Sequence, residues 1–329
     1  MRLLLSGYYG FGNLGDEAIL AGLVGALLGR GHEVTVLSAD PVGTARQHGV
    51  AAAHRTRGFI GALLRSDAMV SGGGGLLQDI TSTRSLTYYL ATIRLARLLG
   101  KRVAVYGQSL GPLTDEGKRR VVRALAGVPA FWRDEPSRDL ARELGVDDRA
   151  TADAALLLAP DDPTGPDRSG PVLLVPRAGH PPYNEALGQL ARSLAEQGVP
   201  LAAVALHSGH DDQEVAALVR AAPAIEVMQA RTPAELLERL PSMSYVVSAR
   251  LHGCVLAAAA GVGFAALSYD PKVEGYAALL DAPVFHAPVS SGALLEAIHD
   301  PPPLDPSRRS KLVTSAKVGI EELLSALRI

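Results

Sequence analysis

Short apolar runs alternate with amphipathic segments along almost the whole chain. In the first half, "RLLLS" is followed by "DEAILAGLVGALLGRG", "EVTVLSAD", "AMVSGGGG", "SLTYYLATIRLARLLGK" and "RVAVYGQSLG". The short runs are typical of buried strands, and the longer segments have the apolar spacing of helices. Strands that alternate with helices build a parallel sheet covered on both faces. The pattern therefore predicts a doubly wound α/β fold.

The alternation stops once and then restarts. Residues 159–171, "APDDPTGPDRSGP", are rich in Pro, Gly and Asp and are typical of a linker. We expect an N-terminal Rossmann-like domain over 1–160, a second one over 170–305, and a helix over 306–329 that packs back on the body. Two such domains facing each other across a cleft form a GT-B-like arrangement, and open sheets of this kind bind ligands at the carboxyl ends of their strands.

Composition excludes several classes of partner and site. The 329 residues include 32 basic and 34 acidic side chains, so no overall positive field attracts nucleic acid, and no nucleic-acid partner is expected. A single cysteine, Cys254, allows neither an internal disulfide nor a zinc site built on cysteines. No apolar stretch reaches the roughly 20 residues that span a bilayer, and the N-terminus lacks a signal-like pattern. We expect a cytoplasmic protein, with at most peripheral contact at the inner face of the membrane.

The stretch "GYYGFGNLGDEA" has Gly10, Gly12 and Gly15 at the spacing of a dinucleotide-binding loop. Asp16 and Glu17 follow at once, and their charges would oppose a pyrophosphate at the helix start. NAD binding stays open, because an acidic residue after the next strand could contact a ribose. The other interpretations are a flexible turn whose acids complement the helix dipole, and a loop that presents Asp16 as a functional carboxylate. The acidic residue in the NAD interpretation is Asp40.

A run of four glycines in "SGGGGLLQD" follows the apolar "AMV" and is expected at the carboxyl end of a strand. Gly73 and Gly74 would there form either an anion-binding nest or a tight turn. No Gly-Lys-Ser/Thr sequence follows, so the run is not a P-loop. Gln108 in "YGQSLGPL" is expected at the end of another strand.

Arg133 stands directly before an acidic helix start in "WRDEPSRDLARELGV". An arginine in this position forms either a surface ion pair of little energetic weight or a planar clamp for a carboxylate or phosphate.

The stretch "SYVVSARLHGCVLAAAAGVGFAALSYDPK" is the most informative one. A buried strand runs into Arg250 and His252, with Leu251 between them, and a helix of small residues follows. The next strand runs into Lys272 in the same way. Cations at adjacent strand ends beside a helix N-terminus indicate an anion site. Cys254 is expected to pack in the helix rather than act as a nucleophile.

Further polar residues follow other predicted strands. A metal is one interpretation of this His and Asp cluster, but no HExxH or DxD spacing is present, so no metal site is expected. The residues are Arg177, His180, His207, His210 and Asp211.

In this order the motifs resemble those of the polysaccharide pyruvyl transferase family, CsaB type. The resemblance rests on "GYYGFGNLGDEAIL", "SGGGGLLQD", "YGQSLGPL", "WRDEPS", "TADAAL", "SARLHGCVLAAAAG" and "SYDPKVEGY". It implies a GT-B-like fold and transfer of pyruvate from phosphoenolpyruvate onto a sugar as a cyclic ketal, with release of phosphate. In the CsaB type the acceptor is N-acetylmannosamine in a lipid-linked precursor of a secondary cell-wall polymer, which anchors surface-layer proteins. One departure is "GVGFAAL", where relatives tend to have a proline.

The resemblance gives functional weight to Asp16, Arg133, Arg250, His252 and Lys272, and the chemistry of ketal formation indicates which roles such residues would take. His252 is expected to be the general acid and Asp16 the base that accepts a hydroxyl proton. The chemistry requires no metal or nucleotide, so no cofactor is expected. The residues expected to bind substrate are Arg133, Arg250, Leu251, Lys272, Arg177, Gly73, Gly74 and Gln108.

Three other functions remain open at this stage. A GT-B glycosyltransferase that uses a nucleotide sugar would share the two-domain plan and a glycine-rich loop. A non-catalytic sensor would bind the anion without turnover, and an NAD-dependent dehydrogenase would use the glycine spacing. Membrane contact is also open, because "HRTRGFIGALLR", residues 54–65, is either an interfacial patch or an ordinary helix packed on its sheet.

Overall fold

The computed structural model describes residues 1–80 and 82–327. The chain divides into two compact units. The first unit consists of Met1–Phe11, Asp16–Leu157 and the residues from Leu312 onward, and the second of Gly12–Gly15 and Leu158–Lys311. Each unit is built on its own parallel sheet, which confirms the expected α/β class.

The described part of the first unit contains a seven-stranded parallel sheet. Its strands are β1 (Arg2–Ser6), β2 (Glu33–Ser38), β3 (Ala51–His54), β4 (Ala68–Leu77), β5 (Arg102–Leu110), β6 (Ala130–Trp132) and β7 (Arg149–Ala150). They pair in the order β3-β2-β1-β4-β5-β6-β7. The helices between them are α1 (Leu14–Leu28), α2 (Pro41–His48), α3 (Phe59–Arg65), α4 (Thr83–Leu98), α5 (Asp115–Leu125) and α6 (Glu135–Leu144).

Local sequence explains where these helices begin and end. Asp40, Ser82, Thr114 and Asp134 each precede a helix, and each side chain accepts a hydrogen bond from a backbone N–H in the first turn. Such N-caps satisfy donors that the helix itself leaves free. Gly145 ends α6 in the left-handed region, with φ +66°.

The glycine run lies inside a strand rather than in a loop. β4 continues through Gly72–Leu77, and Gly72 and Gly74 pair with Tyr106 and Gln108 of β5. The tight turn expected at this position is therefore wrong, and the anion-binding role of Gly73 and Gly74 stays a prediction. The physical reason is close packing, because a Cβ atom on Gly73 would lie 2.0 Å from Ile19 Cγ2 on α1. The glycines let α1 approach the sheet closely.

The second unit, in its described residues, contains a six-stranded parallel sheet. Its strands are β8 (Val172–Val175), β9 (Leu201–Ala203), β10 (Glu226–Val227), β11 (Tyr245–Ser248), β12 (Phe264–Leu267) and β13 (Val284–Phe285). They pair in the order β10-β9-β8-β11-β12-β13. The helices are α7 (Pro181–Glu196), α8 (Asp212–Ala221), α9 (Pro233–Arg239), α10 (Leu251–Ala260), α11 (Pro271–Leu279) and α12 (Ser291–His299).

A last helix, α13 (Pro306–Leu327), supplies residues to both units. In the second unit, Arg309 donates hydrogen bonds to the carbonyl oxygens of Ala258, Ala259 and Pro160. In the first unit, Tyr106 donates to the carbonyl oxygen of Ala316 at 2.9 Å. The domain boundaries expected from the sequence stay a prediction.

Residues 54–65 form the end of β3, a turn and the short helix α3. Phe59 and Leu63 lie in the core of the first unit, whereas Ile60 and Leu64 are exposed. Across residues 1–80 and 82–327, no helix has both the length and the apolar character needed to cross a membrane. Peripheral membrane contact stays a prediction.

We expect Gly73→Ala to destabilise the first unit much more than Gly100→Ala. Both glycines have a positive φ, +65° and +70°, but a Cβ atom on Gly100 would have no neighbour within 4 Å. The control should therefore lose about 1 kcal/mol, and Gly73→Ala about 3 kcal/mol, because its methyl group also overpacks against α1. Urea unfolding followed by the fluorescence of Trp132, the single tryptophan, measures both values. Equal losses would contradict the close packing of α1 on β4.

Candidate functional site

Two arginines flank the crevice where the strand order of the second sheet reverses. The chain passes from β8 outward to β9 and β10, and then returns to β11 on the other side of β8. Arg177 follows β8 and Arg250 follows β11. The carboxyl ends of strands at such a reversal are the usual ligand sites of open α/β sheets.

A buried carboxylate fixes the side chain of Arg250. Asp211 is fully buried, and its Oδ1 accepts a hydrogen bond of 2.6 Å from Arg250 Nη2, while Arg250 Nε lies 2.5 Å from Oδ2. The same carboxylate also accepts from the backbone N–H groups of Ala178 and His207. Asp211 therefore joins the residues that follow β8, β9 and β11 and sets the orientation of the guanidinium group.

Arg177 has a different environment. Its guanidinium group lies 4.5 Å from the ring centroid of Tyr269, and within the described residues its buried Nε has no hydrogen-bond partner. Burial lowers the pKa of Arg177, and the charge of Arg250 lowers it further. His180 packs on the same tyrosine, with ring centroids 4.1 Å apart. Burial also lowers the pKa of His180, and the charges of Arg177 and Arg250 act in the same direction.

His252 lies in the first turn of α10, two residues after Arg250, which is the N-cap residue of that helix. The backbone at Arg250 is fixed by Ser248, whose Oγ accepts from its N–H at 3.0 Å. The ring of His252 lies against Gly15, where a Cβ atom would be 2.3 Å from Nδ1. Leu251 is buried between the two polar residues. Gly15 is thus required to be a glycine by the imidazole that packs on it.

Lys272 adds a third cation after β12, the strand beside β11. It lies in the first turn of α11, and its Nζ is 2.9 Å from Asp270 Oδ2. Both side chains are partly exposed. Arg177, Arg250 and Lys272 thus stand at the ends of three adjacent strands, with Asp211 and Asp270 as the carboxylates paired to two of them.

In the first unit, Asp16 lies at the corresponding reversal between β1 and β4. It is on the first turn of α1 and is mostly buried. Its Oδ1 is 3.1 Å from the position that a Cβ atom on Gly74 would take. Glu17 has a separate task, since its Oε1 accepts from the N–H of Gly10 at 2.7 Å. Asp16 therefore faces the crevice between β1 and β4, and Glu17 stabilises the loop before the helix.

The glycine spacing does not form a pyrophosphate loop here. Gly10 has φ +77°, and a Cβ atom on it would be 2.1 Å from Ser38 Oγ. The backbone N–H of Leu14 at the start of α1 donates to Leu206, and the N–H of Gly15 donates to the side chain of Asn13. Asp40 caps α2 by accepting from Gly43. The amides that would face a pyrophosphate, and the acid that would bind a ribose, therefore already have partners.

Arg133 is a buried ion-pair residue rather than a surface one. Its Nη1 donates to Asp153 Oδ2 at 2.6 Å, and its Nε donates to Ser109 Oγ at 2.9 Å. The side chains of Arg133 and Asp153 are 5% and 1% exposed. The surface ion pair predicted from the sequence is wrong, because Arg133 is buried at the end of β6 and pairs there with the buried Asp153. Arg133 stands at the ends of β5 and β6, away from the reversal between β1 and β4.

The remaining candidate residues of the first unit lie within the sheet. Gln108 is fully buried in β5, and its Nε2 donates to Ser71 Oγ at 2.8 Å. Gly73 and Gly74 are buried in β4. Of these three, Gly74 is the one beside Asp16.

Two expectations about the second unit concern Cys254 and the histidines. Cys254 is fully buried, and burial raises the pKa of its thiol to about 12, so it packs in α10 as expected. His207 and His210 stack with ring centroids 3.9 Å apart. Among the described residues, no three His, Cys, Asp or Glu side chains are placed to hold a metal ion.

Sequence reasoning missed the two buried carboxylates that orient the arginines. The motif "TADAAL" contains Asp153, but the sequence pattern gives this residue no role. The pattern presents Asp211 only as a candidate metal ligand. A usable signal existed, because a buried arginine without a partner is costly, and a carboxylate in a neighbouring motif is therefore a candidate partner.

We expect Asp211→Asn to lower the stability of the protein by about 3 kcal/mol, because it leaves the charge of Arg250 buried without compensation. Asp162→Asn is the matched control, since Asp162 is an exposed residue of the same unit and the charge change is the same. Its loss should be below about 0.5 kcal/mol. Thermal unfolding followed by circular dichroism compares the variants, and similar losses for both would contradict a structural role for the Asp211–Arg250 pair.

Three solved structures resemble the chain over 99% of its length. A candidate UDP-N-acetylglucosamine 2-epimerase from Listeria monocytogenes has 10% sequence identity and a TM-score of 0.65, and 95% of that chain is covered. UDP-GlcNAc 2-epimerase from Neisseria meningitidis bound to UDP-GlcNAc has 9% identity, and HepE from Anabaena in complex with UDP has 12% identity; both have a TM-score of 0.62 and are covered over 100% of their length. At these identities the similarity concerns the fold, and it confirms the GT-B-like class.

No curated protein sequence matches the chain significantly. Residues 13–271 match the family model for polysaccharide pyruvyl transferase. The matched region includes Asp16, Arg133, Arg250 and His252, and it ends at Pro271, one residue before Lys272. The chain therefore belongs to the polysaccharide pyruvyl transferase family.

Proposed function

We propose that the protein transfers pyruvate from phosphoenolpyruvate onto a saccharide as a cyclic ketal and releases phosphate. The observation that carries this proposal is the set of cations at adjacent strand ends, Arg177, Arg250 and Lys272, beside His252 at a helix start. The family match supports pyruvyl transfer as the reaction, and the cations supply what the donor requires.

Phosphoenolpyruvate carries a carboxylate and a phosphate, and both need cationic partners. Arginine binds either group through two parallel hydrogen bonds. Arg250 is oriented in advance by Asp211, so little side-chain entropy is lost when a ligand binds. Arg177 has a buried Nε without a hydrogen-bond partner among the described residues, which a donor oxygen would satisfy. Arg133 and Lys272 are further cationic groups that bind substrate in this proposal.

His252 is the general acid of the proposed reaction. Its proton goes to the methylene carbon of phosphoenolpyruvate, and C2 becomes electrophilic. A sugar hydroxyl then forms a bond to C2 and gives up its proton. The bond between C2 and the phosphate oxygen breaks, phosphate leaves, and a second hydroxyl closes the ring and gives up its proton in turn. One hydroxyl proton replaces the one lost by His252, and the other leaves with the phosphate.

Asp16 is the proposed base for the hydroxyl proton. A carboxylate accepts such a proton only when the hydroxyl is within hydrogen-bond reach. Asp16 lies in the crevice between β1 and β4, and it directly follows Gly15, the residue that packs against His252. This adjacency in the chain supports the assignment of both residues to one reaction.

The proposed acceptor is an amino sugar, N-acetylmannosamine, in a lipid-linked precursor of a secondary cell-wall polymer. The motif resemblance to the CsaB type supports it. The acceptor would require peripheral contact with the inner face of the membrane. Phosphate release from phosphoenolpyruvate across a panel of lipid-linked amino-sugar disaccharides tests donor and acceptor together. A stabilising shift with a nucleotide sugar but not with phosphoenolpyruvate would contradict the proposal and favour a glycosyltransferase.

We expect His252→Ala to abolish phosphate release in the presence of acceptor while binding of phosphoenolpyruvate remains measurable. The substitution removes the proton donor but leaves the three cations in place. Removal of a general acid typically lowers the rate by about 100-fold to 10,000-fold. His299→Ala, an exposed histidine at the end of α12, is the control and should keep full activity. Turnover of His252→Ala near that of the control would remove His252 from the mechanism.

We expect Arg250→Ala to weaken the binding of phosphoenolpyruvate by about tenfold or more, because a hydrogen bond between charged groups contributes about 1.5–3 kcal/mol. Titration calorimetry measures this affinity without turnover. Arg239→Ala is the control for the loss of a charge, since Arg239 is a surface residue of the same unit that pairs with Glu226. Thermal unfolding of Arg250→Ala checks that this variant, in which Asp211 loses its partner, is folded at the temperature of the titration. Unchanged affinity in Arg250→Ala would show that the donor binds elsewhere.

A further inference from the structure

The first unit contains a cluster of aromatic side chains around one arginine, and the proposed function does not use it. Tyr8 and Phe11 stack with ring centroids 4.1 Å apart and nearly parallel planes. The guanidinium carbon of Arg55 lies 5.2 Å from the ring centroid of Phe11 and 4.2 Å from that of Tyr88. We call Tyr8, Phe11, Arg55, Tyr88 and Tyr89 the aromatic–arginine cluster. Its members come from the loop after β1, the end of β3 and helix α4.

The cluster is fixed in place but remains open to solvent. Tyr88 donates a hydrogen bond of 2.8 Å to the carbonyl oxygen of Arg55, and it packs edge-on against Tyr89. Tyr8, Phe11, Arg55 and Tyr88 are all partly exposed. A ligand could therefore contact the exposed parts of the rings and of the guanidinium group, whereas a contact with the buried Nε of Arg55 or the buried hydroxyl of Tyr89 needs a local side-chain movement.

Two polar atoms of the cluster lack hydrogen-bond partners within the described residues. They are Nε of Arg55 and the hydroxyl of Tyr89, and both are buried. Tyr89 is 1% exposed, and burial raises the pKa of its hydroxyl, so it stays a neutral donor. Buried polar groups in folded proteins are nearly always satisfied, so two such groups in one cluster indicate a missing partner. The Arg55 Nε is a donor only, and the Tyr89 hydroxyl can donate as well as accept, so an acceptor such as a phosphate oxygen would satisfy both.

The cluster stands beside the proposed base. Burial raises the pKa of Tyr8, and the charges of Asp16 and Arg55 act on it in opposite directions. The same two charges act on Tyr89. Tyr8 and Phe11 lie in the loop between β1 and α1, and Asp16 lies in the first turn of α1, so a saccharide bound at the cluster would be close to the proposed base.

We propose that the aromatic–arginine cluster binds a phosphorylated sugar of the acceptor, with the guanidinium group of Arg55 on the phosphate and the rings of Tyr8 and Phe11 against the apolar face of the pyranose. The assignment rests on the proposed function, because it places an acceptor next to Asp16. Arginine between aromatic faces is already desolvated and planar, which suits a phosphate.

Direct binding of a simple probe tests the assignment. N-acetylmannosamine 1-phosphate is titrated into the full chain and followed by ligand-observed NMR, with N-acetylmannosamine and inorganic phosphate as separate probes. We expect the sugar phosphate to bind more tightly than either part. Arg55→Ala should weaken it at least tenfold, and Phe11→Leu several-fold, since leucine keeps the volume but removes the ring. Arg57→Ala is the matched control, because Arg57 is exposed and two residues away, and it should stay within twofold of the original protein.

Each outcome decides the assignment. Equal affinity in Arg55→Ala and Arg57→Ala would overturn it, as would equal binding of phosphate and sugar phosphate. Folding of each variant is checked by urea unfolding followed by the fluorescence of Trp132, which lies in the same unit as the cluster. If the cluster variants lose the sugar phosphate but no acceptor ever yields phosphate from phosphoenolpyruvate, the subsite stands and the proposed reaction fails. If turnover is found and the variants keep the probe, the reaction stands and the subsite fails.

Discussion

The arrangement of the second unit depends on the buried ion pair between Asp211 and Arg250. A guanidinium group at the end of a buried strand loses most of its hydration, and that loss is offset only by an anion with good geometry. Asp211 supplies it and also accepts from two backbone N–H groups, so that one carboxylate connects the ends of three strands. The position of the arginine is thereby part of the fold, and the first turn of α10 with His252 follows from it.

The first unit also contains a buried arginine that is paired with a buried carboxylate. Arg133 is paired with Asp153 and bonded to Ser109, so its charge is largely balanced inside the protein. Arg177 has no such carboxylate contact among those described for it, and Lys272 is paired only at a partly exposed position. The cations with the most capacity left for a dianionic ligand are therefore Arg177 and Lys272. The charges of Arg250 and Arg133 are largely balanced by Asp211 and Asp153, so these arginines would offer a ligand oriented N–H donors more than net positive charge.

The sequence was sufficient for the fold class and for most of the strand ends. Apolar runs with helical segments between them encode a parallel sheet, and polar residues after each run mark its carboxyl edge, which is why Arg177, Arg250, His252 and Lys272 could be assigned to one edge. The glycine run was misassigned because glycine is ambiguous in sequence. It serves a tight turn and a strand packed under a helix equally well, and only Ile19, more than fifty residues away, decides between them.

Other parts of the site were out of reach for a related reason. The aromatic–arginine cluster is assembled from three separate elements, and none of its segments has a pattern of its own. The glycine spacing at Gly10, Gly12 and Gly15 shows the limit most clearly. In a dinucleotide fold such glycines let the backbone approach a pyrophosphate, and here they let it approach Ser38 and the ring of His252. The spacing records only that something must come close to the backbone. Only the structure shows that the close neighbours are Ser38 and His252, while the charge of Asp16 already argues against a phosphate at the start of α1.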